Sequence, residues 1–247
     1  MIEVVRPESF FLALPNADGI QFPRMLVRRV LLRGNCRLIK ASPGTPFSVK
    51  WQQSLFASPL AAIRLGGIRR DASASAEALK ARIEMEQVTT VGSSLVDIQP
   101  AEASPIVMPM DLQTNGCWFI AANPQALLRY RLTRPIDYSG YLQWSGDENV
   151  LAGDAVLWSS SLMGGPPSQL ETSDSLTQTP LAELRMPEVV EAFPEALSRF
   201  LSGEAGMERL EPSDIKSAIG QLPSGVSRRL GVTPEDLPAP YAETESP

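Results

Sequence analysis

Asp147, Glu148 and Asp154 lie close together in the chain, with Asp137 a little upstream. Grouped carboxylates can do acid–base work on a glycoside, or hold Ca²⁺ or Mg²⁺, without an imidazole. The plainer use of such residues is a solvated turn, and no EF-hand spacing accompanies them here. Ser213 and Lys216 have the Ser-x-x-Lys spacing in which a lysine activates a serine on one helix face, but no Lys-Thr-Gly or Ser-Asp-Asn follows. Ser213, directly after Pro212, reads better as a helix N-cap. Residues 226–235 resemble a helix-turn-helix, with Gly231 at the turn and Thr233-Pro234 opening a second helix. Pro238 and Pro240 would end that helix within a turn, and Glu235 and Asp236 stand where phosphates would lie. A plain helical hairpin fits better. Gly66-Gly67 and Gly164-Gly165 read as turns, because no phosphate-cradling glycine pattern occurs.

The chain has 247 residues and no histidine. That removes Ser-His-Asp and Cys-His nucleophiles, His-ligated zinc and haem, and facial-triad iron. With only Cys36 and Cys117, no four-thiolate metal site fits in one chain. Both cysteines sit in apolar, strand-like surroundings and are expected as buried free thiols. The expectation is therefore a protein that is not an enzyme, with no catalytic residues, no cofactor and no metal.

Charge is informative by its distribution. Net charge is −6, but residues 1–70 carry eleven basic and three acidic side chains, while residues 171–247 carry six basic and fourteen acidic ones. Opposite ends can face each other within one chain, or can join neighbouring copies head to tail. Only four of the 22 basic residues are lysine, and arginine suits planar pairing with carboxylates. Arg24, Arg28, Arg29, Arg33 and Arg37 form a basic group without the aromatic interleaving that stacks single-stranded bases. A protein partner is thus favoured over nucleic acid. Arg28, Arg29 and Arg33 are the first candidate contact residues. Arg129 and Arg131 join them, because the alternation Leu128, Arg129, Tyr130, Arg131, Leu132 puts both arginines on one strand face.

These residues must be positioned by a mainly β body. Short β-branched and aromatic runs separated by Pro, Gly, Asn and Asp predict strands at 2–6, 10–14, 25–32, 37–40, 47–51 and 61–65. A second set falls at 88–91, 95–98, 106–112, 118–121, 127–132, 138–144 and 155–158. The expected architecture is an antiparallel sandwich or barrel-like body over 1–162, with halves 1–70 and 87–162 joined by a short Ala-rich helix at 71–86. A Ser/Thr-rich linker at 163–179 follows, then a short-helix region at 180–236 and an acidic, Pro-rich, disordered tail at 237–247. No internal repeat is evident.

No uninterrupted apolar run long enough for a signal peptide or membrane span occurs, which points to the cytoplasm, or to a phage particle assembled there. The functional expectation is a structural or adaptor subunit, homo- or hetero-oligomeric, acting through protein contacts and without a membrane. The alternatives are a carboxylate-based ligand- or metal-binding β domain or enzyme, and a DNA-binding regulator using the C-terminal hairpin.

Overall fold

The computed structural model describes residues 9–14, 23–68, 79–92, 94–100, 105–121, 126–132, 141–152, 156–162, 167–170, 188–190, 195–219, 231–232, 235 and 237. In chain order the strands are β1 (Ser9–Leu14), β2 (Arg24–Arg28), β3 (Leu31–Arg33), β4 (Cys36–Ala41), β5 (Phe47–Ser58), β6 (Ile63–Gly66), β7 (Ala81–Gly92) and β8 (Val96–Gln99). They continue with β9 (Met110–Asn115), β10 (Trp118–Ala121), β11 (Ala126–Leu132), β12 (Leu142–Asp147), β13 (Val150–Ala152), β14 (Val156–Leu162), β15 (Pro167–Leu170) and β16 (Glu188–Val190). Two short helices close the series, α1 (Glu195–Leu201) and α2 (Pro212–Ile219).

The strands do not pair as hairpins. Every ladder between these strands is parallel except β14 with β15. The expected antiparallel sandwich or barrel is therefore wrong: the body consists of parallel sheets with only two short helices among the described residues. The reason lies in the connections. β5 and β6, like β7 and β8, are joined by a few residues, whereas parallel neighbours need a crossover of a dozen or more. Strands adjacent in sequence thus turn a corner instead of pairing, and each pairs with its counterpart one circuit later: β5 with β7, β4 with β6, β6 with β8, β8 with β11. The result is a coiled parallel stack with three faces.

The first face holds β2, the first half of β5, the first half of β7, β9 and β12. The second holds β3, the remaining halves of β5 and β7, β10, β13 and β16. The third runs β1, β4, β6, β8, β11, β14, β15. The corner between the first two faces is built the same way in every circuit. Arg29, Gln53, Gln87, Gly116 and Glu148 fall in one column, and all five have positive φ, between 47° and 58°. A left-handed residue reverses the pleat and turns the strand. Four of the five are not glycine, so each pays a backbone cost of about 1–2 kcal/mol.

The next column offsets part of that cost. Ser54 Oγ accepts from Val30 N at 3.1 Å and donates to Gln52 O at 2.7 Å. Asn149, in the same column, accepts from Cys117 N at 3.1 Å and donates to Thr114 O at 2.8 Å. Both side chains plug the bend by satisfying backbone groups of adjoining strands.

Burial follows the faces. In β5 and β7 the first half alternates between buried and more exposed residues, whereas the final five residues are all buried. Alternation marks a strand packed on one side only, and continuous burial marks a strand packed on both. Inside the coil lie columns such as Phe47, Ala81, Met110, Leu142 and Val49, Ile83, Leu112, Trp144. Outside the second face, Leu55, Val91, Trp118, Ile120 and Val150 are covered by Leu197, Phe200, Met207, Leu210, Ile215 and Ala218 of the helical region.

Several predicted elements shift. Residues 81–86, assigned to the helix 71–86, belong to β7, and 71–78 lie outside the described residues. β15 lies within the expected linker 163–179. Ser213 is inside α2: Pro212 opens that helix, and Asp214 Oδ2 accepts from Glu211 N at 2.9 Å, which makes Glu211 the cap residue. The strand 2–6 and the tail beyond Leu237 lie outside the described residues.

Candidate protein-binding surface

Stacking gives the two ends of the coil opposite charge. The first circuit, 24–41, contains Arg24, Arg28, Arg29, Arg33, Arg37 and Lys40 and no acidic residue. The fifth, 142–162, contains Asp147 and Glu148 in its described part and no basic residue anywhere. The corner column runs from Arg29 at one end to Glu148 at the other, beside a column from Arg28 to Asp147.

The candidate contact arginines separate into two groups. Arg28 and Arg29 are exposed, and so is Arg24. Arg28 Nε donates to Gln53 Oε1 at 3.2 Å, and among the described residues no carboxylate pairs with Arg24, Arg28 or Arg29. Arg33, by contrast, is buried and committed within the chain. Its Nη1 donates to Leu210 O and to Glu211 Oε1, each at 2.8 Å. Arg37 is also buried and donates to Ala61 O at 3.2 Å. Part of the basic head and part of the acidic foot therefore do face each other in one chain.

Arg129 and Arg131 lie on the third face. Asp97 stands beside Arg129 in register, and its side chain is 1% exposed. Arg129 Nη2 is 3.2 Å and Arg131 Nε 3.5 Å from the Asp97 carboxylate, and Gln99 Nε2 donates to it at 2.6 Å. This cluster ties together strands of neighbouring circuits.

The other candidate groups are dispersed. Asp147 and Glu148 are exposed at the corner, with Asp147 Oδ1 accepting from Glu148 N at 3.1 Å. Asp137 and Asp154 lie outside the described residues, among which no group of three metal-capable side chains occurs. Most of 226–235 also lies outside them. Gly231 N donates to Gly116 O at 2.6 Å, and Val232 N to Thr89 Oγ1 at 3.0 Å. That pair of residues is docked on the second face. Cys36 and Cys117 are buried free thiols; burial pushes them up to about 11 and about 12 respectively.

Sequence reasoning overlooked Leu26. It is 66% exposed, on the outer side of β2 between Arg24 and Arg28. Its period-two spacing from both arginines was the available signal, hidden by reading 25–32 as one unbroken strand. Among the described residues no helix is long and apolar enough to cross a membrane. Comparison of the chain with family models, with curated proteins and with solved structures gives no match.

Proposed function

We propose that this chain is a non-catalytic structural or adaptor subunit of a larger protein assembly, of the kind found in phage particles or bacterial complexes put together in the cytoplasm. The single observation that carries the reading is the opposite charge at the two ends of the coil, with exposed arginines that pair with no carboxylate among the described residues at the first circuit and exposed acids at the fifth. Charges sorted in this way steer and register protein contacts. A parallel coil is also stiff, because each circuit is hydrogen-bonded along its length to the next. The chemistry available supports the same reading, since no histidine is present to serve as a base near neutral pH.

The test is the mass of the native protein by light scattering at low and high salt, with the material isolated from its source. Screening shortens the reach of exposed charges from about 10 Å at 0.1 M to about 3 Å at 1 M ionic strength. The expected result is a complex at low salt that dissociates at high salt, and that Arg28→Glu with Arg29→Glu weakens. A protein that is strictly monomeric in both conditions, and that emerges from its source without a partner, would refute the proposal.

A further inference from the structure

We infer that the open edge of β2 is a docking site for an extended acidic segment of a different protein, added as one more strand of the first face. The inference rests on the assembly reading above and specifies its contact. β2 is the terminal strand of that face and pairs only with β5 among the described residues. Ser48 N donates to Pro23 O at 3.0 Å, and Arg29 N donates to Gln52 O at 3.1 Å. Positions 23, 25, 27 and 29 therefore turn their backbone groups toward β5. By the alternation of a parallel ladder, Arg24, Leu26 and Arg28 direct their N–H and C=O groups to the open side.

The side chains of these three residues lie on the outer surface of the face, and all are exposed. Charged residues often guard a sheet edge against adventitious pairing. An exposed leucine between them does the opposite, because it offers apolar surface for an incoming strand to cover. Leu26 is the sole large hydrophobic side chain that is exposed among the described residues.

The occupant is not a second copy. Antiparallel pairing of β2 with another β2 would bring arginines against arginines. Coaxial stacking of β12 from another copy on β2 is blocked, because β16 and β15 extend one strand beyond β13 and β14 on the other two faces. Those of the incoming copy would occupy the space of this chain's β3 and β4. What fits is a foreign strand that supplies carboxylates to Arg24, Arg28 and Arg29 and an apolar residue to Leu26. Main-chain hydrogen bonds would provide affinity, and these side chains specificity.

The experiment uses the full chain and a fluorescein-labelled synthetic peptide alternating glutamate and valine, with a lysine–valine peptide as control, read by anisotropy and by amide exchange. The expected result is binding of the glutamate peptide alone, slowed exchange at Leu26 and Arg28, and loss of affinity of at least about tenfold in the Arg24→Glu/Arg28→Glu variant. Leu26→Pro removes an edge-facing N–H together with the exposed leucine side chain, both of which an edge strand can lose, and should also lower affinity by about tenfold or more with little change in Tm. If that variant fails to fold, the arginine pair decides. No binding, equal binding of both peptides, or unchanged affinity in the arginine variant overturns the docking site. A salt-sensitive native complex combined with no peptide binding sinks this edge and leaves the assembly reading standing; a solitary monomer sinks that reading itself.

Discussion

Arg33 of the first circuit and Glu211, the cap residue of α2, form an ion pair at 2.8 Å. The same guanidinium nitrogen holds the Leu210 carbonyl. The side chain of Arg33 is 10% exposed and that of Glu211 46%, so the two partners are unequal. Removing Arg33 strips a buried carbonyl of its donor, whereas removing Glu211 mainly forfeits a solvent-screened charge. Arg33→Ala should cost about 2–3 kcal/mol and Glu211→Ala about 1 kcal/mol or less in urea unfolding. Equal costs would show that the carbonyl bond contributes nothing.

Glycines at two corners make different demands. Gly116 has a φ of 58°, which Gln87 and Glu148 also adopt in its column, so Gly116→Ala should cost only about 1 kcal/mol. Gly92 has a φ of 113°, and a Cβ there would collide with the Ser58 carbonyl oxygen. Gly92→Ala should therefore destabilise by about 3 kcal/mol or more, with thermal unfolding as the measure.

Asn149 bridges Cys117 N and Thr114 O while buried. Asn149→Leu keeps the size but leaves both backbone groups without that partner, and a loss of about 2–4 kcal/mol is expected. Asn149→Asp retains the acceptor for Cys117 N and loses the donor to Thr114 O. Its amide-exchange pattern should show Cys117 still protected where the leucine variant does not.

The thiols give a pH test with a defined sign. Burial raises Cys36 to about 11 and Cys117 to about 12 from an ordinary value of 9.0. Below pH 9 both are protonated, folded or unfolded, and the stabilisation is complete. Above pH 9 the unfolded chain loses protons that the folded one keeps, so stability falls by about 1.4 kcal/mol per pH unit per thiol until the folded thiol itself ionises. Cys117→Ala should flatten that decline by one proton's slope. Thiol reagent should label neither cysteine in the native protein and both after denaturation.

Strand positions were largely legible in the sequence, and pairing was not. The run 118–121 matches β10, 37–40 lies on β4 and 61–65 overlaps β6, because apolar runs between turn residues mark strands whichever way they pair. Alternation such as Phe47, Val49, Trp51 identifies a packed side and carries no information on the direction of the neighbour. The repeat was invisible because register partners such as Val27, Trp51, Met85, Thr114 and Gly146 share neither residue type nor even spacing. The corner column hides for a related reason: a left-handed bend predicts Gly or Asn, and this chain places Arg, Gln and Glu there. Of the candidate surface, the arginines of β2 were readable from charge alone. The commitment of Arg33 to Glu211, and of Arg129 and Arg131 to Asp97, depends on contacts that local sequence does not encode.

The ladders between circuits also determine how the molecule bears load. Their hydrogen bonds run along the axis of the rod, so each ladder bears the whole tension between the two ends instead of dividing it with the others, and the weakest yields first. Pulled in that direction, the protein would unwind like thread from a spool, in a series of small yields set by individual layers, while sideways force would meet the backbone itself.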